Sequence, residues 1–198
     1  IYHTKMTEMN LASSAFGQTF KVTPIQLITA VCAAVNGGNL YEPYLVEKII
    51  SSDGSVVEEY ETNLVRQVIS EQTSETVRDI LETVVGDGSG RTAAVPGYKI
   101  GGKTGTAKKV KAGGVGYYEG LYTVSFAGVL PIDDPRLVVM TVIDEPNPRD
   151  CNAGGGTVAA PIFRDAAEEF IKVLNLQPSD PEAYEKYLAE KNGEAPKK

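Results

Sequence analysis

The longest apolar stretch of the chain, Ile25 to Val35, is punctuated like a helix. Thr23 can cap its first turn, Pro24 suits the first helical position, and Gly37 can supply a left-handed stop. Its apolar residues surround most of the cylinder, which predicts a buried helix. Leu40 to Ile50 and Val56 to Tyr60 read as two strands folded about Asp53-Gly54, a strong hairpin signal. Ser70 then caps a second helix running through Val85, with Val77, Ile80, Leu81, Val84 and Val85 as its apolar stripe and Gly86 at its end.

From Gly86 the pattern shifts. Gly86-Asp87-Gly88-Ser89-Gly90-Arg91 reads as a flexible loop, followed by strand candidates at Tyr98 to Ala107, Tyr122 to Leu130 and Leu137 to Ile143. Asp133-Asp134-Pro135 makes a tight connection between the last two, which predicts an antiparallel hairpin. Thr157 to Leu174 has helical period, with Ile162, Phe163, Ala166, Phe170, Ile171 and Leu174 on one face. After Leu176 the chain turns polar, with a short helix around Pro181 to Glu190 and a frayed end.

Composition narrows the function classes. With 42% hydrophobic residues in 198, the chain can bury a core and is not a disordered segment. Its formal net charge of -7 argues against a nucleic-acid partner. No apolar run reaches the ~18 residues needed to span a membrane. The chain opens on Ile1 with no signal-peptide pattern, so an upstream part is expected. Cys32 and Cys151 are the only cysteines and His3 the only histidine, so neither a zinc site nor a histidine-based nucleophile is expected. Cys32 reads as a small buried thiol; it and the loop residue Cys151 could pair, but two cysteines make no disulfide framework.

The candidate chemistry lies in Gly97-Tyr98-Lys99-Ile100-Gly101-Gly102-Lys103-Thr104-Gly105-Thr106-Ala107. Gly97, Gly102, Lys103 and Thr104 formally satisfy the phosphate-loop pattern G-x-x-x-x-G-K-[ST]. That loop works only where a helix begins at the lysine, and the glycines at 105, 113, 114 and 116 forbid one. The same residues fit a K-[ST]-G strand, the third signature of penicillin-binding proteins and serine β-lactamases. Alternation puts Lys103 and Gly105 on one side and Thr104 and Thr106 on the other. Glycine lets a substrate backbone approach, the lysine supplies charge or tunes a hydroxyl, and threonine hydroxyls donate to a carboxylate.

The neighbouring segments carry a wider resemblance. Phe16-Gly17-Gln18 and Val22-Thr23-Pro24-Ile25-Gln26-Leu27 look like the F-G-Q and V-T-P-x-Q-L segments of class B penicillin-binding proteins. Asn36-Gly37-Gly38 followed by a Pro43-containing strand, Phe126-Ala127-Gly128, and Val158-Ala159-Ala160-Pro161 resemble later pieces in family order. The resemblance spans roughly Leu11 to Leu176. It implies an α/β (α+β) fold, a partial β-lactamase/transpeptidase-like arrangement with an antiparallel sheet flanked by helices. Residues 1–176 would be the C-terminal portion of the transpeptidase domain, and 177–198 a polar tail. The family sheet has five strands, and this chain would keep three. Two partners of the Leu137 to Ile143 strand would be missing, leaving an apolar edge to be closed by the missing piece or by self-association.

In the family the nucleophile sits in S-x-x-K and a second serine in S-x-N. No serine here has lysine three residues on or asparagine two residues on. In family order both motifs precede F-G-Q, so they are expected upstream and the chain alone is expected to be inactive. The implied reaction is serine acyl transfer on D-Ala-D-Ala stem peptides of peptidoglycan, a peptidoglycan D,D-transpeptidase activity without a cofactor. Lys103 and Thr106 would be catalytic, the Thr106 N–H acting as an oxyanion donor. Thr104, Gly105 and Thr106 would bind substrate. Phe16 and Gln18 would line the cleft floor or simply pack.

The implied partners are stem peptides, β-lactam antibiotics and the missing N-terminal part of the domain, with a membrane anchor upstream and the extracytoplasmic face as location. Many relatives carry glutamine where Lys108 stands. With Lys109 and Lys111 it makes a basic patch or, as favoured, a solvated strand end. A β-lactam sensor or serine β-lactamase shares the K-T-G strand, but the F-G-Q and V-T-P-x-Q-L segments favour the transpeptidase. A non-catalytic cell-wall scaffold is the reading from another class, and an upstream sequence without S-x-x-K would support it.

Overall fold

The computed structural model describes residues 6–18, 20–147 and 154–193. Helices α1 (Glu8–Ala15) and α2 (Pro24–Val35) open the chain. Four short strands follow: β1 (Asn39–Tyr41), β2 (Lys48–Ile50), β3 (Val56–Glu59) and β4 (Leu64–Gln67). Next come α3 (Glu71–Gly86), the long strands β5 (Gly101–Val110), β6 (Tyr117–Leu130) and β7 (Leu137–Asp144), then α4 (Ala160–Val173) and α5 (Pro181–Lys191). The principal sheet is antiparallel with order β5-β6-β7, and two smaller antiparallel pairs, β1-β4 and β2-β3, lie apart from it. No described strand pairs with the far side of β7, as the three-strand reading expects.

Local chemistry explains the helix starts. The Thr23 hydroxyl accepts from the Gln26 N–H and the Gln26 side chain accepts from the Thr23 N–H, a reciprocal cap ahead of Pro24. Ser70 caps α3 through the Thr73 N–H at 3.1 Å. Between these helices, the buried Ser74 hydroxyl donates to Ala34 O at 2.8 Å and accepts from the Gly37 N–H at 3.0 Å. Gly38 has φ +88°, and a Cβ there would run into Ile69 O, so the Asn36-Gly37-Gly38 turn needs its last glycine.

Five sequence expectations change. The predicted strand Leu40 to Ile50 is two strands separated by Pro43, and β4, unanticipated, pairs with the first of them. Helix α2 is not enclosed: only Ala33 and Val35 are buried, because it packs through Val31 and Val35 and its Ile25 side stays open. On α3, Ile80 is 58% exposed and lies outside the packed stripe. The predicted helix Thr157 to Leu174 begins as a π-helical turn over Gly155–Ala159 before α4. The buried face of α4 is Ala160, Phe163, Ala167, Glu168 and Ile171, while Ile162, Phe170 and Leu174 are exposed.

The sheet is packed on both faces. Gly102, Phe126 and Gly128 face α4, where the fully buried rings of Phe126 and Phe163 lie 5.0 Å apart. On the opposite face Gly101 and Val129 meet Ile132, Val35 and Leu81 of α2 and α3.

The polar stretch after Leu176 folds back onto this core. Asn175 takes a left-handed conformation at φ +49° and ends α4, with the Leu176 N–H donating to Ile171 O. Tyr98 donates to Leu176 O at 2.8 Å and stacks edge-on against Tyr184, centroids 5.0 Å apart. Glu168, only 6% exposed, accepts from the Tyr187 hydroxyl and the Lys191 ammonium, fastening α5 to α4. Burial opposes its charge, but these two hydrogen bonds outweigh it and hold the carboxyl below the usual glutamate range.

Glu168→Gln is therefore expected to cost about 1–2 kcal/mol, the lower part of the range for charged hydrogen bonds because Lys191 is half in water. Since the folded carboxyl holds its proton less tightly than the unfolded one, this stability is complete above the ordinary glutamate range and fades as pH falls below it. Thermal melts should show a wild-type advantage at neutral pH that shrinks towards about pH 3. An advantage that persists there would mean the ionised form is not what fastens α5.

Candidate functional site

Strand β5 is an edge strand whose inner neighbour is β6, in the register Lys103↔Ala127, Thr104↔Phe126, Gly105↔Ser125 and Thr106↔Val124. Opposed residues share a face, so Thr104 and Thr106 lie on the α4 side with Val124 and Phe126. Lys103 and Gly105 lie on the other side, the alternation expected from sequence. A Cβ at Gly105 would come within 2.4 Å of Ser125 Oγ, so a side chain there would require that hydroxyl to rotate away.

On the α4 side the Thr106 hydroxyl meets the start of the π-helical turn and the Thr104 hydroxyl meets Ser89. The Gly155 N–H donates to Thr106 Oγ1 at 3.2 Å, and Thr104 Oγ1 lies 3.0 Å from Ser89 Oγ. Thr106 accepts in its bond, so its own O–H can still donate outward. Gly155 must be glycine, because a Cβ would lie 2.7 Å from Gly105 O. Lys103 is exposed, and its ammonium donates to the next carbonyl, Thr104 O, at 2.8 Å. The arrangement thus sets an exposed cation on one side of an open strand edge and two hydroxyls on the other, a donor set suited to an anionic ligand.

The other singled-out residues fall elsewhere. Phe16 is 72% exposed and Gln18 is exposed at the end of α1, rather than packed beneath β5. Lys109 does not belong to a free basic patch. Its ammonium binds Asp144 at 2.8 Å and Glu145 at 2.6 Å, tying the far end of β5 to the end of β7. These hydrogen bonds raise the Lys109 pKa, while that lysine and the Thr123 hydroxyl lower that of Asp144. Among the described residues Cys32 has no disulfide partner, and burial raises the pKa of its thiol. His3, Cys151 and any Cys32–Cys151 pairing lie outside the described residues.

The Gly86 to Arg91 segment is not the flexible loop that its glycines predict. It is instead fastened, with the Asp87 N–H on Thr83 O and the Gly90 N–H on Val84 O. It brings Ser89 to Thr104, and the only signal for that was a small hydroxyl between two glycines.

The folded chain is similar to solved transpeptidase-type structures. Penicillin binding protein 3 from Mycobacterium tuberculosis superposes with TM-score 0.75 at 33% identity in its apo form, over 87% of this chain and 40% of that one. The ampicillin complex of the same protein gives TM-score 0.71 at 32% identity, over 83% of this chain and 38% of that one. Residues 3–168 match the penicillin binding protein transpeptidase domain family. Stage V sporulation protein D of Bacillus subtilis is 46% identical over 177 residues, 89% of this chain and 27% of that protein. Peptidoglycan D,D-transpeptidase FtsI of Escherichia coli is 34% identical over 178 residues, 88% of this chain and 27% of that protein.

The mixed helix and antiparallel-sheet architecture is that of a transpeptidase domain. The chain belongs to the penicillin-binding protein transpeptidase family, of the class B type. It spans about a quarter of the length of these curated relatives. Among the described residues no helix is long and apolar enough to cross a membrane.

Proposed function

We propose that these residues form the substrate-binding wall of a peptidoglycan D,D-transpeptidase that acts by serine acyl transfer, with the nucleophile supplied from outside the 198 residues. The observation that carries the reading is the open edge of β5, with Lys103 on one side and the Thr104 and Thr106 hydroxyls on the other. In the reaction a serine oxygen attacks the carbonyl of the terminal D-Ala-D-Ala peptide bond, D-alanine leaves with a proton, and a second stem amine resolves the acyl-enzyme.

Lys103 serves the anionic substrate and the proton network around the nucleophile. Thr104 and Thr106 hold the free carboxylate of the terminal residue through their hydroxyls. Gly105, bare of side chain, lets the substrate backbone lie along the strand. The Thr106 N–H acts as an oxyanion donor. The Lys103 bond to Thr104 O supports this last role: in an antiparallel strand the amides and carbonyls of alternate residues share an edge, so Thr104 and Thr106 would turn theirs the same way, outward.

β-Lactams would be the corresponding inhibitors, since a relative of this chain is solved with ampicillin and another structure of it with aztreonam. The substrate sets the location at the extracytoplasmic face, with any membrane anchor outside these residues.

Incubation with excess penicillin, read by intact mass, tests the proposal. The 21.2 kDa chain alone should stay unmodified. The complete protein should gain one penicillin on a serine outside these residues. An adduct on this chain, or a complete protein that is never acylated, would overturn it.

A further inference from the structure

We infer that Ser89 is a positioning residue for substrate carboxylate recognition, acting through the hydroxyl of Thr104; the inference rests on the transpeptidase reading above. The backbone around Ser89 is held from two sides. At the end of α3, Gly88 and Gly90 press against Val84, where a Cβ on Gly88 would lie 2.8 Å from Val84 O and one on Gly90 3.0 Å from the Phe126 ring. From the other side Gly156, at the start of the π-helical turn, packs so close that a Cβ on it would overlap Ser89 O. The Thr92 hydroxyl donates to Gly156 O and fixes that turn in place. The serine hydroxyl is thereby delivered to Thr104 Oγ1 at 3.0 Å.

Two hydroxyls carry two protons, and one of them makes the bond between the oxygens. The other is left to donate to a ligand, whichever oxygen bears it. When Ser89 donates to Thr104, the Thr104 proton must turn away from Ser89. Thr106 is set in the same way, its oxygen occupied by the Gly155 N–H and its proton left over. Positions 104 and 106 share a strand face about 7 Å apart. A carboxylate accepting one hydrogen bond of ~2.7 Å at each oxygen spans about that distance. In that orientation Ser89 does for Thr104 what the Gly155 N–H does for Thr106, engaging the threonine oxygen so that its proton points outward. Without Ser89 the Thr104 hydroxyl is an undirected rotor that must be ordered by the ligand itself.

The test uses the complete protein carrying these residues, with a penicillin and its methyl ester as probes and acylation rates resolved into a binding and a chemical step. Ser89→Ala should lower acylation by the free acid about tenfold, mainly in the binding step. The ester has no anion to hold and should lose far less. Ser89→Thr, which keeps a hydroxyl, should restore the preference for the acid. Ser89→Ala added to Thr104→Ala should cost little more than Thr104→Ala alone. Equal losses for acid and ester, or a Ser89→Thr variant as poor as the alanine, would show that Ser89 only packs the loop and overturn the inference. A wild-type protein acylated by neither probe would instead remove the transpeptidase reading itself, and this inference with it.

Discussion

Lys103→Ala in the complete protein is expected to reduce penicillin acylation by about 10²–10⁴-fold, the range seen when a group that moves or directs a proton is lost. The thermal midpoint should hardly change. Lys103 is exposed, and its ammonium bonds a carbonyl, Thr104 O, that already sits on an open strand edge, so removing it strands no buried group. Lys103→Arg should not restore the rate. Guanidinium keeps the positive charge but cannot give up its proton near neutral pH, and its planar fork occupies space that the compact ammonium leaves free. The pair of variants thus separates two roles. If arginine recovers most of the activity, Lys103 acts as a charge for an anionic substrate. If both variants are slow, it belongs to the proton network. Rates of the alanine variant within about threefold of wild type would remove Lys103 from the chemistry, because proton-handling groups contribute far more than that.

What could be read in the sequence was what depends on neighbours along the chain. Thr23, Pro24 and Gln26 declare the start of α2 within one turn, and Asp53-Gly54 declares the β2-β3 hairpin, where Gly54 takes φ +87° and the Ser51 N–H closes on Ser55 O. The strand alternation of Lys103 to Thr106 needs only a period of two. What could not be read depends on distant partners. Strand β4 reaches β1 across the intervening hairpin, so the pairing left no local trace.

The face of α4 was misjudged because Ile162, Phe170 and Leu174 are as apolar as the residues that are buried. The buried face includes Glu168, a charge that no periodicity argument would put inside, and it is tolerated because Lys191 and Tyr187 arrive on α5. The site was legible to the same degree. Its strand could be found, while Ser89, 15 residues before Thr104 and in the loop after α3, could not.

The formal phosphate-loop pattern leads to the second large effect, Gly102→Ala, which is expected to destabilise the fold by about 3 kcal/mol, the upper part of the overpacking range. Each glycine of that pattern has a packing reason. Gly97 has φ +86°, and a Cβ on it would lie 2.5 Å from Tyr184 Cβ, so it is small to admit α5. Gly102 lies beneath the Phe126 ring, and a Cβ there would overlap that ring and sit 2.9 Å from Ala127 O.

Neither obstacle can yield cheaply. The ring is fully buried against Phe163, whose own ring leaves no room for a Cβ at Gly128, and the carbonyl belongs to the middle strand of the sheet. The variant should therefore push β5 outward where it carries Lys103 and Thr104, lowering the thermal midpoint and the acylation rate together. Combining it with Phe126→Leu, which shortens the obstructing ring, should cost less than the sum of the two single changes. ATP should stabilise the wild-type protein no more than inorganic phosphate does, since the residues after Lys103 continue as a strand and offer no phosphate-loop helix start to a nucleotide. A Gly102→Ala midpoint within about 2 °C of wild type, or strict additivity with Phe126→Leu, would show that the glycine is not there for the ring.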